Sequence, residues 1–371
     1  MAPHRLLPVL TTPILSWRGK LRLLMDLFIP RRDDESEESL AAFVRRRLGR
    51  EALDRLVQPL VGGIYTADPN DLSLKATLPQ FLAMEQEHRS LIVAGWRESR
   101  KSKSRLQNQK ASGARYGMFV TLADGMDTLP KALAASLPPG TVRLQTPVRR
   151  ISRNAPVSPW LVELLDGPPI EASAVLVTTE AHATARLLDA EDPALALQLR
   201  AIPYASSIIV NVAYPRDRIQ HPLDGFGVVV PAVENRSILA ISFLSVKFPD
   251  RAPAGTALMR VFIGGATQPE LFDLDDDAIR QLLARELGEL IGVTGEPSHL
   301  SIYRHARAMP QYTLGHMERV AAIRRKLAKF HGLYLTGIAF DGVGIPDCIH
   351  AAESTADELI AALAKADIAA A

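Results

Sequence analysis

The 371 residues carry 43 Lys and Arg against 41 Asp and Glu, a net charge of +2, and 47% of them are hydrophobic. That length suffices for two domains with a sizeable core, and so balanced a charge points away from wholesale nucleic-acid binding. The one cysteine, Cys348, excludes an internal disulfide and a cysteine-based zinc site, and it fits a reducing compartment.

No run of about 18 uncharged apolar residues occurs, so no membrane-spanning helix is expected. The N-terminus lacks a secretory pattern, because Pro8, Pro13, Trp17 and Arg18 interrupt the apolar stretch from Leu6 to Leu15. Trp17–Ile29 reads as an amphipathic helix with Leu21, Leu24, Met25 and Phe28 on one face. Such a face suits either a protein core or a membrane surface. The acidic run from Asp33 leads into a helix capped by Ser36 or Ser39, with Leu40, Phe43, Val44 and Leu48 on its apolar side and Gly49 as its stop. Arg45-Arg46-Arg47 complement the helix dipole and read as a solvated end. A helix over Glu51–Leu60 is expected to close at Gly62-Gly63, and another starts near Pro79. Residues 96–115 are basic and poor in apolar side chains, which suits a solvated loop or a contact with anionic lipid or an acidic partner.

From Tyr116 the texture turns to α/β. A strand at Phe119–Leu122 leads through Gly125 to the helix Leu129–Ser136, and Val142–Leu144, Val148–Ile151 and Trp160–Leu164 alternate as half-buried strands. Ala174–Thr178 reads as a buried strand, with a helix from His182 to Leu188 after it. Four antiparallel strands follow at Ser207–Tyr214, Gly225–Val230, Ser237–Phe243 and Ala257–Gly264, then a helix over Asp275–Ile291 and a strand at Leu300–Arg304. The helix Val320–Phe330 leads to an apolar strand from Gly332 and to a glycine turn that opens a final helix near Pro346. Gly342 and Gly344 strip two side chains from that turn, so bare N–H groups at a positive helix end face outward. Such a corner receives a negative charge or an electron-rich ring edge, although a plain tight turn uses the same glycines. Beyond it Ile349, Ala352, Ala356, Leu359, Ile360 and Leu363 share one helical face, which is expected to pack back on the sheet.

Taken in order, several blocks resemble the flavin-dependent protoporphyrinogen oxidases within the FAD-linked amine oxidase group. They are Glu38–Gly49, Gly62–Tyr65 with Asp68-Pro69 and Leu72-Ser73, Glu87–Ile92, Phe119–Leu133, Gly225–Pro231, Pro310–His316 and Gly342–Ile349. No single block decides the matter; their collinearity does. The resemblance implies an α/β fold with an α+β substrate lobe. It implies a split FAD domain at 112–200 and 316–371, an antiparallel substrate domain over 201–315 and a helical, membrane-facing lobe over 1–111. It implies FAD as cofactor, with Gly342, Val343, Gly344 and Ile345 beside the isoalloxazine and the backbone of Val148 at the adenine end. Val229, Ile238 and Phe262 match positions lining a tetrapyrrole cavity, with Gly227 on the strand of Val229; spacing alone favours plain sheet core.

The implied reaction is the six-electron oxidation of protoporphyrinogen IX or coproporphyrinogen III in haem biosynthesis. Three two-electron steps pass hydride to flavin N5, and oxygen reoxidises the flavin. No side chain is assigned a catalytic role and no metal is implied, as expected where the cofactor carries the chemistry. His316 is the histidine that stands out, although a loop histidine held by backbone is the favoured account of it. The implied partners are a tetrapyrrole and a peripheral contact with the inner face of the cell membrane from the cytoplasm, with a homodimer left open.

One departure is large. Members of the family open on a Gly-x-Gly-x-x-Gly turn that seats the FAD pyrophosphate, and these residues contain none. A fragment or a shortened protein is therefore expected, with poor solubility from uncovered apolar surface. An inactive tetrapyrrole- or partner-binding remnant and another flavin amine oxidase or desaturase are the rival readings.

Overall fold

The computed structural model describes residues 11–34, 36–97, 120–155 and 158–370. It divides into two compact units, Met1–Thr121 with Tyr204–Leu314, and Leu122–Pro203 with Gly315–Ala371. The basic stretch over 98–115 and the start of the strand expected at Phe119 lie outside the described residues.

The first unit opens with helix α1 (Trp17–Leu24), where the Ser16 hydroxyl accepts the Gly19 N–H at 3.1 Å. Leu15 and Leu23 pack with Ala52 and Ile92. Of the four-residue apolar stripe, Leu21, Met25 and Phe28 stay exposed, and Trp17 joins them at 70% exposure. This helix is therefore apolar on two sides, and only one is used as core. Helix α2 (Leu40–Arg47) is capped by Ser39, buries Leu40, Phe43 and Val44, and stops at Gly49, whose φ of +95° excludes most side chains.

Of the arginine triplet that closes α2, Arg45 is exposed, but Arg46 and Arg47 are not a solvated end. Arg47 is wholly buried, 2.5 Å from the equally buried Asp26 carboxylate. Its guanidinium also donates to the carbonyls of Ile29 and Pro30, and Asp26 further accepts from the Ser90 hydroxyl at 2.6 Å. Arg46 reaches Glu38 at 2.8 Å and Glu85 at 2.7 Å. Asp26 and Glu85 lie 21 and 39 residues from the arginines they meet, so the local charge pattern could not reveal them. Nor does the next helix end at Gly62-Gly63. It passes from Arg50–Ala52 through a π turn, Leu53–Val57, into α3 (Gln58–Tyr65), and ends at the left-handed Thr66. Pro59 has no N–H to give to the preceding turn, and the π register absorbs that loss. Helix α4 (Pro79–His88) begins on its proline.

In the second unit α5 (Thr128–Ser136) buries none of its residues. Residues 120–122 and 142–144 are irregular rather than strands. Strands β1 (Val148–Ser152), β2 (Trp160–Leu164) and β3 (Ile170–Ala172) form an antiparallel sheet. Strand β4 (Val175–Val177), helix α6 (Ala181–Leu188) and helix α7 (Pro193–Arg200), capped by Asp192, follow.

The chain returns to the first unit as β5 (Tyr204–Pro215), β6 (Gly227–Val229), β7 (Ala240–Phe243), the short helix α8 (Leu244–Lys247), β8 (Thr256–Gly264), helix α9 (Asp276–Ile291) and β9 (His299–Pro310). The five strands pair antiparallel in the order β6-β7-β8-β5-β9. Alternation sends Ile208, Val210, Val212, Ile241, Phe243, Met259, Val261 and Ile263 to one face, where they meet Ile279, Leu283 and Leu287 of α9. Each such side chain contributes roughly 1.5–3 kcal/mol by its burial. Asp275 caps α9 and the left-handed Gly292 stops it.

The second unit closes with α10 (His316–Leu327), β10 (Leu333–Leu335) and α11 (Ile345–Ala370). β10 runs parallel to β4, with Leu333 opposite Val175 and Leu335 opposite Val177, so two sequence-distant stretches share one ladder. On α11 Ala356, Leu359 and Leu363 of the apolar stripe are half-buried, while Ile349 and Ile360 remain exposed, so the stripe is only partly packed. Among the described residues no helix is long and apolar enough to cross a membrane.

Candidate functional site

The face of the five-stranded sheet turned away from α9 carries two rows of contrasting chemistry. Register places Val229 opposite Ala240, Ala240 opposite Phe262, Phe262 opposite Ile209 and Ile209 opposite Tyr303. That row is apolar across all five strands and ends on the exposed Val229 and Tyr303. Two residues along, Gly227, Ser242, Arg260, Asn211 and Ser301 form a second row by the same pairings. It is polar. The rows lie ~7 Å apart along the strands.

This geometry brings Val229 and Phe262 together. Ile238 goes elsewhere: it is 1% exposed and packs in the core cluster under α9. Gly227 has a reason of its own. A Cβ there would fall 2.2 Å from the Ile241 carbonyl oxygen, so the β6–β7 ladder itself demands glycine. Ile209, Tyr303, Arg260 and Asn211 escaped the reading of the sequence. Alternation within β5 and β8 marks the face they occupy, but only the register makes them neighbours.

In the second unit the corner between β10 and α11 is built as a glycine turn. Gly342 has φ +126°, a conformation few other residues adopt, and a Cβ on it would lie 2.8 Å from the Asp347 carboxylate. A Cβ on Gly344 would meet the same carboxylate at 2.8 Å. The space left by the two glycines is thus taken up by an anion of the chain itself, seated at a helix start. The turn therefore seats a carboxylate at the helix start, and the carboxylate it seats is the chain's own Asp347. Val343 is half-buried and Ile345 is 52% exposed. Val148 opens β1 opposite Leu164 and is 38% exposed.

His316 is the first residue of α10 and is wholly buried. Burial, with the charge of Arg319 second, lowers its pKa to about 4, so the imidazole is neutral at physiological pH. Among the described residues no group of three His, Cys, Asp or Glu side chains is placed to hold a metal ion.

The chain matches the family model for flavin containing amine oxidoreductases over residues 1–360. It is 34% identical over 348 residues to a coproporphyrinogen III oxidase of Bacillus subtilis (strain 168), covering 94% of this chain and 72% of that protein. It is 37% identical over 388 residues to a coproporphyrinogen III oxidase of Propionibacterium freudenreichii subsp. freudenreichii, covering 98% and 72%. A solved structure from Exiguobacterium sp. 255-15, assigned as a protoporphyrinogen oxidase, superposes with a TM-score of 0.81 at 29% identity, covering 96% of this chain and 75% of that one. Mixed α/β architecture, a family match along nearly the whole chain and relatives of this identity agree: the chain belongs to the flavin-containing amine oxidoreductases, and its cofactor is FAD.

Proposed function

We propose that the chain oxidises a porphyrinogen, coproporphyrinogen III or protoporphyrinogen IX, to the porphyrin in haem biosynthesis, with oxygen as acceptor. The observation that carries this reading is the two-row sheet face, where Val229, Phe262 and Ile209 offer a flat apolar support beside a polar row. A large macrocycle edged with carboxylates is the ligand that such a face suits. FAD, when bound, takes up the electrons two at a time. In this reading Gly342, Val343, Gly344 and Ile345 hold the ring of FAD through backbone N–H groups, and Val148 meets the adenine end. Residues 112–200 and 316–371 serve as the FAD domain and 201–315 as the substrate domain. Ile238 stiffens the sheet from behind. The chain's own residues orient the macrocycle and exclude water from it.

Residues 1–111 act in this reading as a lobe that rests on the cytoplasmic face of a membrane. The support is the stripe of Trp17, Leu21, Met25 and Phe28, all exposed on one short segment, with Arg18 exposed beside them. To test the activity, the purified chain is mixed with FAD and coproporphyrinogen III in air, and porphyrin fluorescence is followed. The reading expects a rise that depends on both protein and FAD. A rate equal to that of FAD alone, from a folded chain that has bound FAD, contradicts it.

A further inference from the structure

Arg260 stands out on the polar row of the sheet face. It is half-buried, and its Nε–H donates to the Asn211 side-chain oxygen at 3.0 Å, from the strand next door. Among the described residues it has no carboxylate within ion-pair distance, whereas the half-buried Arg32, Arg46, Arg153 and Arg236 each have one, and the half-buried Arg22 and Arg216 give their guanidinium groups to backbone carbonyls instead. A second cation stands near it. Lys247, at the end of α8 and packed against β8, is half-buried, and its pKa is lowered by burial first and by the charge of Arg260 second. Two cations brought together on a partly desolvated face repel each other and lose hydration, and a bound anion offsets both costs. The bond to Asn211 fixes the Nε edge, so the two Nη groups are the part of the fork left to offer. That edge matches a carboxylate in a bidentate pair. The apolar row with Phe262 lies one repeat away on the same strand.

We propose that Arg260, oriented by Asn211 and backed by Lys247, is the residue that receives a propionate carboxylate of the tetrapyrrole while the ring rests on the row of Val229, Phe262 and Ile209. This rests on the porphyrinogen reading above and adds to it a specificity determinant. The site distinguishes carboxylate-bearing porphyrins from their neutral esters, and Arg260 carries that distinction.

The test uses the full chain with FAD present and two probes, coproporphyrin III and its tetramethyl ester, titrated by quenching of porphyrin fluorescence. The wild type is expected to bind the free acid more tightly than the ester, with the gap shrinking as salt is added. Arg260→Met is expected to weaken binding of the acid by about tenfold or more and to leave the ester within about twofold, as loss of a charge-assisted pair implies. Arg260→Lys and Asn211→Ala are expected to fall between, and they carry the comparison if the methionine variant does not fold. A wild type that binds both probes while Arg260→Met and Arg260→Lys leave the acid preference unchanged overturns the proposal alone. Equal weakening of acid and ester in the folded variants overturns it too, because packing would then be the cause. A wild type that binds neither probe overturns the porphyrinogen reading and this proposal with it.

Discussion

Gly342 shows how narrow the tolerance at the corner is. A side chain there faces two obstacles, a φ of +126° and the Asp347 carboxylate at 2.8 Å. Gly342→Ala is expected to lose on the order of 1–3 kcal/mol of stability and most FAD affinity, read by chemical denaturation and by flavin fluorescence. Adding Asp347→Ala removes the carboxylate but leaves both the Cβ of residue 347 at 2.8 Å and the backbone strain, so it should restore only part of the stability. His316 gives a second residue-scale expectation. Its folded pKa of about 4 lies below its ordinary 6.5, so the unfolded chain takes up the proton first. Its contribution is therefore whole above pH 6.5 and is lost as the pH falls towards 4, by on the order of 3 kcal/mol. Urea melts across that window should slope for the wild type, and the slope should shrink in His316→Gln. The glycines of the corner were legible in the sequence as a turn that needs a bare backbone. What fills the bared space was not, because Asp347 reaches back only once the helix has formed.

At the scale of elements, the clip between α1, α2 and the segment after α4 depends on Arg47 and Asp26, both 0% exposed. Removing one partner leaves the other charge buried and uncompensated, so Arg47→Met is expected to destabilise the chain by roughly 3–5 kcal/mol in denaturant titrations. Arg47→Met with Asp26→Asn should cost less than the single change. The outer face of α1 gives a separate expectation. Trp17→Ser with Phe28→Ser should weaken co-sedimentation with vesicles containing anionic lipid by more than tenfold, since each side chain buries ~1.5–3 kcal/mol of apolar surface. Unchanged sedimentation would remove the lipid reading of this lobe. Periodicity located α1, α2 and α9 well, and alternation located the strands of the large sheet, because one face of each is buried and the pattern records it. It failed where a distant partner or a backbone detail decides. Arg46 and Arg47 looked solvated, the helix ran on from the π turn at Leu53–Val57 through two glycines, and the stripe on α11 suggested a contact that its isoleucines do not make.

For the whole molecule, the order of the sequence blocks was enough to name the family, and the family match over residues 1–360 agrees with it. The substrate face was only half legible. Val229 and Phe262 were legible as candidates, but a strand carries no record of which strands will flank it. The five-strand row and its polar neighbour emerge only from the β6-β7-β8-β5-β9 order. Ile238 shows the same limit from the other side, since it precedes β7, outside the alternation of that strand, and packs in the core. The most direct measurement is an anaerobic single turnover. The chain is loaded with FAD, coproporphyrinogen III is added without oxygen, and flavin and porphyrin absorbance are recorded together. The account predicts that the flavin bands bleach in step with the loss of porphyrinogen and return when air is admitted, with porphyrin accumulating over repeated cycles. Flavin that stays oxidised in a loaded, folded chain while porphyrinogen remains would contradict it.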